Sequence, residues 1–382
     1  MSLTAESAAE RRWNLAAAIT SVTVFGVGIG LSGPLLSLVL EGRGFDATLN
    51  GLNAASTFLG VILGPLLTPR AIGRFGIRRF LLGCFALDIA LFLLMKLIDS
   101  VGAWFMLRLL IGLVGSSIFT TTEAWIGLLA GATDRGRILG LYVASLSAGF
   151  GVGPLLLSIT GTVGWAPFIA ASLIVAVATI PLIAAGGGTR DLGRAPAQSP
   201  LAIFARAPLL VLIAALFGLY EAAIMTLLPI WGVRVGLGYR LGAATVSTIY
   251  FGAIALQLPI GWLSDKIERH AVLRLCSGVG LIGAALLPLV ADATPALFAT
   301  LLVWGGFTTA IYPLALAMAG ERFRSSELIS VNAAIVMGYG LGALVGPVLG
   351  GVAMDTLNPN GLPVVLALLF AVLAATTFAR GR

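Results

Sequence analysis

Between Ile138 and Thr189 the chain runs 52 residues without a charged side chain. A helix needs about 20 apolar residues to cross the hydrocarbon of a bilayer. That run is long enough for two crossings, and Gly161, Gly164 and Pro167 supply a turn in its middle. Seven more charge-free runs hold one crossing each: Trp13–Leu40, Ala47–Pro69, Leu241–Ser264, Leu275–Ala291, Ala293–Gly320, Leu328–Met354 and Thr356–Ala379. Three further stretches carry isolated charges: Phe80–Leu97 with Asp88 and Lys96, Val101–Ala130 with Arg108 and Glu123, and Ala207–Val233 with Glu221. The total is twelve spans, starting near residues 14, 48, 80, 101, 138, 164, 208, 242, 271, 295, 328 and 360. Only Asp292 separates spans nine and ten, but the combined stretch is too long for one crossing.

Composition agrees. Charged residues make up 10% of the 382, where a soluble domain carries roughly 25%. The apolar types make up 59% and mean hydropathy is +1.04. Disorder, a disulfide-built secreted domain and nucleic-acid binding are all excluded. The net charge of +7 is a matter of position. With the N-terminus inside, 18 of the basic residues fall in cytoplasmic segments and only Arg43, Arg234 and Arg240 in outer loops. That bias places both termini in the cytoplasm. The first span reads as a retained signal anchor.

The chain repeats itself in parallel. Gly153-Pro154 returns as Gly346-Pro347, 193 residues later; Cys84 returns as Cys276 and Gly44 as Gly236, at 192; Gly112 returns as Gly305, at 193. The polar stretch around residues 187–207 lies between spans six and seven. The expected organisation is an all-α polytopic membrane protein of twelve transmembrane helices in two pseudo-symmetric six-helix halves. The halves are residues 1–186 and 208–382, joined by a cytoplasmic linker over 187–207.

Residues 261–266, Gly-Trp-Leu-Ser-Asp-Lys, with Arg269 and His270 behind them, resemble the G-x-x-x-D-R/K loop of the major facilitator superfamily. The first-half copy is degenerate: Pro69 and Gly73 stand for its glycine and aspartate, while Arg74, Gly76, Arg78 and Arg79 match. Arg108 with Gly112 resembles the R-x-x-x-G motif of span four. Gly342, Gly346, Pro347, Gly350 and Gly351 resemble the antiporter motif, complete here in span eleven; span five keeps Gly149, Gly153 and Pro154. Glu123-Ala-Trp125, followed by Arg135-Gly136-Arg137, is similar to a bacterial branch near the drug-efflux group. The resemblance covers essentially the whole chain. It implies secondary active transport of a small solute between two rocking halves.

Several residues are singled out within that frame. Asp265 is expected to close the inner side by accepting hydrogen bonds from the start of span five or from Arg135 or Arg137. Gly261, Lys266, Arg269, Arg74 and Arg78 belong to the same inner gate. Asp265→Asn is expected to shift the resting population toward outward-open. Glu221 lies 14 residues beyond Ala207, about 21 Å along its helix. It is a carboxylate for proton coupling or for a cationic substrate, or else a helix-packing hydrogen bond. Arg108 could meet an anionic substrate or a nearby carboxylate, or pair with Asp88 across adjacent spans. Glu123 is too far along the helix to reach Arg108 and reads as part of an inner ion network or as a proton-coupling or substrate group; Asp88 reads as a structural partner or a proton relay. Asn53, Tyr220, Tyr250, Gln257, Trp304, Tyr312 and Tyr339 are cavity candidates. Gly153, Pro154 and the span-eleven glycines with Pro347 read as close-approach and hinge positions.

The chain contains no nucleotide-binding loop, nucleophile–base pair or metal-ligand cluster, so neither an enzyme nor a pump driven by ATP is expected. No cofactor is expected beyond a proton gradient. The expected partners are a small-molecule substrate and the bilayer of a bacterial inner membrane, and one chain holding both halves can work as a monomer. Export of amphipathic or cationic compounds is the favoured function. Proton-coupled uptake of a metabolite, or a non-transporting sensor or scaffold of the same fold, is the alternative.

Overall fold

The computed structural model describes residues 8–98, 100–129, 135–184, 204–323 and 328–379. Most of the 187–207 linker, and the side chains of Arg135 and Arg137, lie outside them. Within the described residues every regular element is an α-helix. The first six are α1 (Ala8–Gly42), α2 (Ala47–Phe75), α3 (Ile77–Leu97), α4 (Val101–Leu129), α5 (Arg135–Thr160) and α6 (Ala166–Ala184). The rest are α7 (Pro208–Arg234), α8 (Gly238–Lys266), α9 (Arg269–Val290), α10 (Thr294–Thr309), α11 (Ile311–Arg322), α12 (Leu328–Thr356) and α13 (Gly361–Ala379). Eleven helical stretches are long and apolar enough to cross a membrane, with α10 and α11 counted as one. The apolar segment Ala144–Thr160 of α5 completes twelve.

Span ten is broken where the sequence analysis expected one helix. Pro313 has no N–H to give Thr309, and its ring crowds that carbonyl. The helix stops at Thr309 and restarts at Ile311. Thr308 and Thr309 donate their hydroxyls to Trp304 and Gly305 carbonyls at 2.8 and 2.7 Å on the near side of the break.

The lipid-facing surface is visible as exposed apolar stripes. Ile169, Leu173, Val177 and Ile180 of α6 are all exposed at steps of three or four residues, which is one helix face. A soluble protein would bury that face; a membrane protein turns it to hydrocarbon.

Two packed cores form, one almost wholly from α1–α6 and one almost wholly from α7–α13. Their closest helix approaches repeat in register. A Cβ on Gly149 would stand 2.4 Å from the Thr23 carbonyl oxygen; 193 residues on, one on Gly342 would stand 1.7 Å from that of Ala215. Gly153 against Val27 repeats as Gly346 against Leu219, Gly60 against Leu109 as Gly252 against Leu302, and Gly112 against Thr57 as Gly305 against Ile249. These positions need glycine because a neighbouring backbone occupies the space of a side chain. Pro154 and Pro347 sit inside continuous helices. Gly350 packs against Leu227 and Leu362, while Gly351 approaches the Ala47 carbonyl across the halves.

Candidate functional site

The two cores meet along α2 with α12, α5 with α8, and α1 with α7. Glu221 of α7 lies at this seam. Tyr250 of α8 donates its hydroxyl to Oε1 at 2.9 Å, and Tyr339 of α12 donates to Oε2 at 2.8 Å. Each oxygen therefore has one donor, while the side chain remains only half-buried. Aromatic rings continue from the two tyrosines. Phe150 of α5 lies 5.2 Å from Tyr250, centroid to centroid. Phe217, one turn before Glu221 on α7, lies 6.2 Å from Tyr339 and 5.4 Å from Tyr312. Tyr312 and Tyr339 stand edge to face at 5.9 Å. Tyr312 is the second residue of α11, just before Pro313.

Of the cavity candidates, Tyr250, Tyr312 and Tyr339 come together around Glu221. Tyr220 faces the other way: it is buried, shares a 2.6 Å hydrogen bond with Thr308 and packs on Trp304 and Phe370. Trp304 is also core, its indole N–H donating to Gly280 O at 2.8 Å. Helical phase explains the split, since adjacent residues such as Tyr220 and Glu221 point about 100° apart. Gln257 is half-buried on α8. Asn53 is fully buried on α2, and neither side-chain polar atom has a hydrogen-bond partner. Phe150 and Phe217 were missed. Nothing in a single apolar sequence marks one phenylalanine among 19 as seam-facing.

In the first half, Arg108 is buried and donates to Gly33 O at 3.5 Å. It forms no ion pair with Asp88, which corrects that expectation. Asp88 instead lines a small cleft with Phe25, Ser32 and Ile111, between α1, α3 and α4. Glu123 is exposed near the end of α4.

The two ends of the seam differ. At the arginine-poor end, Arg234 clamps Glu41 through Nε at 2.9 Å and Nη2 at 3.3 Å, and reaches Asp355 at 3.4 Å. Asp355 accepts from the backbone N–H of Ala47 at 3.1 Å and of Thr48 at 2.7 Å, and from the Thr48 hydroxyl at 2.7 Å. Asp46 accepts from Leu49 N through its side chain and from Asn50 N through its carbonyl. Three N–H groups that the start of α2 leaves without helical partners are thus satisfied by carboxylates, two of them by one from the opposite half. The sequence signal was charge at the ends of spans one, seven and eleven, which was read only for topology.

At the arginine-rich end, the ion pairs of Asp265 and Arg269 stay within the second half. Asp265 is 72% exposed and pairs with Arg269 at 3.8 Å; Arg269 also meets Glu321 at 3.2 Å. Lys266 lies 5.9 Å from the Trp262 ring and Arg74 5.6 Å from that of Phe75. Arg78 donates to Ile183 O. Gly261 has open space around it. The side chains of Arg135 and Arg137, expected to meet Asp265 across the halves, lie outside the described residues.

The family model described as Major Facilitator Superfamily matches residues 18–251 and 210–381. An uncharacterised MFS-type transporter, YfkF of Bacillus subtilis, is 25% identical over 89% of this chain and 88% of its own. One from Yersinia pseudotuberculosis is 27% identical over 91% of each. Among solved structures, the nucleoside transporter NupG superposes with a TM-score of 0.78 at 14% identity, covering 97% of this chain and 98% of its own. A D-xylose–proton symporter superposes with 0.75 at 14%, covering 96% and 97%.

Proposed function

The chain belongs to the major facilitator superfamily, and from that premise we propose that it moves a small organic solute by alternating access, coupled to protons, in the export direction. The observation that carries this reading is Glu221, a carboxylate held between two tyrosine hydroxyls at the seam of the two halves. A group there meets water from whichever side is open and is shared by both conformations. Proton coupling draws its support from the same residue: its two donors and its partial exposure let it exchange a proton with the open side. Alternating access draws its support from the ends of the seam, one latched across the halves through Asp355, while at the other the Asp265 pair stays within its own half. With the arginine-rich end in the cytoplasm of a bacterial inner membrane, as the positive-inside bias predicts, the latched end is the outer one. Export rests on the acidic side chains outnumbering Arg108 in the deeper spans.

Solid-supported membrane electrophysiology on reconstituted protein tests the reading. Chemically diverse solutes are screened at two pH values, with Glu221→Gln alongside. Solute currents that depend on pH and vanish in the variant are expected. Solute currents of full size in the variant would remove Glu221 from the path. Silence for every solute, confirmed by radiotracer exchange on folded protein, would overturn transport itself.

A further inference from the structure

The elbow between α2 and α3 carries Arg70, Arg74, Arg78 and Arg79 and no acidic side chain between them. Its counterpart at the 192-residue offset, residues 262–271, balances Lys266 and Arg269 with Asp265 and Glu268. The structure keeps that difference. Arg269 pairs with Asp265 and with Glu321 of α11, and Arg274 pairs with Glu268. None of the four first-half arginines meets a carboxylate among the described residues. Arg70 donates to the Leu66 carbonyl of its own helix at 3.4 Å, Arg78 donates to Ile183 O, and Arg74 lies beside the Phe75 ring.

Orientation in a bilayer calls for positive charge at this end. It does not require the charges to stay bare, and the second half meets the same need with carboxylates close at hand. Arg70, Arg74 and Arg79 are exposed. Arg70 and Arg74 stand one turn apart on α2, where like charges repel. Arg78 and Arg79 occupy the first turn of α3, the helix end that disfavours cations. An anion from outside the chain relieves both. Leu66 and Leu67, one turn nearer the middle of α2 than Arg70, are largely exposed, as is Phe75. The arginines therefore rim an apolar surface. That is the complement of a phospholipid, with guanidinium groups matched to its phosphate and leucines to its acyl chains. A free phosphate or a soluble acidic protein would use the charge alone.

We propose that the α2–α3 elbow binds the headgroup phosphates of anionic phospholipids, which serve as its counter-ions in the leaflet at the arginine-rich end. The proposal does not depend on which solute the protein carries.

Native mass spectrometry of purified, delipidated protein in detergent counts the lipids bound as phosphatidylglycerol or phosphatidylcholine with the same acyl chains is added. Wild type is expected to bind phosphatidylglycerol at least about tenfold more tightly than phosphatidylcholine. Glycerol 3-phosphate, a phosphate headgroup without chains, is expected not to displace it at equal concentration. The triple variant Arg70→Gln, Arg74→Gln, Arg79→Gln is expected to lose the preference; Arg78 is kept because it holds the end of α6. Arg79→Gln alone removes an exposed side chain outside any ion pair. It is expected to weaken phosphatidylglycerol binding about three- to fivefold, and it keeps the test decisive if the triple variant fails to fold. Lys266→Gln removes one charge from the balanced elbow and is expected to change binding by less than about twofold. Equal binding of the two lipids, undiminished binding by folded Arg79→Gln, an equal loss in Lys266→Gln, or displacement by glycerol 3-phosphate at equal concentration would each overturn the proposal.

Discussion

The two halves share their packing and divide their chemistry. At the repeat offset of 192 to 193 residues, Glu221, Tyr250 and Tyr339 correspond to Ile29, Phe58 and Leu146. The backbone contacts around both sets are nearly superimposable: Gly26 approaches the Leu146 carbonyl oxygen as Gly218 approaches that of Tyr339. In the other direction, Arg108 corresponds to Leu301, a core residue. Close helix approach is a requirement each bundle meets for itself, so it is duplicated. A charge at the seam serves both bundles and costs free energy wherever it sits, so one copy suffices. Arg108 and Glu221 are deep charges of opposite sign in opposite halves, and neither has a charged counterpart in its twin.

The most damaging way to probe that comparison is steric. Gly342→Leu and Gly149→Leu are both expected to cut folded yield about tenfold or more by fluorescence-detected size exclusion, since overpacking against backbone leaves no side chain able to yield. A Gly149 variant as stable as wild type would break the shared-packing half of the comparison. Next comes chemistry. Removing one Glu221 donor at a time, Tyr250→Phe or Tyr339→Phe, is expected to lower solute current roughly 10-fold or more, in line with a lost hydrogen bond to a charged group of about 1.5 kcal/mol or more. Leu146→Met, at the twin of Tyr339, is expected to leave current within about twofold.

Smaller effects are expected at the two ends. Asp355→Ala removes the cross-half partner of two α2 amides and one contact of Arg234. A lost helix cap costs roughly 1–2 kcal/mol, so the conformational ratio should move roughly 5- to 30-fold toward opening at the arginine-poor end. Spin-label distances across that end would report it, and an unchanged distribution would show that the latch carries no weight. Asp265→Asn should barely alter the present conformation, because its pair is long and exposed; about 0.5 kcal/mol or less is at stake. The sign expected from sequence also reverses. A group that closes the inner side stabilises the outward-open state, so its removal shifts the population toward inward-open, read by the same labels.

The spans, their order and the repeat were legible because charge is so costly in hydrocarbon that its absence marks each crossing. Glu221 was legible for the same reason, as a charge kept despite that cost. Its partners were only partly so: Tyr250 and Tyr339 stood out as polar aromatics in apolar helices, but Tyr220 and Trp304 stood out equally and proved to be core. The face a helix residue shows depends on how helices rotate against one another, and that is written in pairwise contacts rather than in one stretch of chain. The break at Pro313 could not be read from the proline alone, since Pro154 and Pro347 sit inside continuous helices. Nor could the Asp355 cap, because its two amides lie 308 and 307 residues away.

That cap has a consequence for how the molecule responds to its surroundings. When the arginine-poor end opens, the Ala47 and Thr48 amides, the Asp355 carboxylate and the Arg234–Glu41 pair lose one another together. Water is what replaces those bonds. Opening is therefore a hydration step, and osmolytes that lower water activity should hold that door shut even when the membrane voltage and the solute gradient are unchanged.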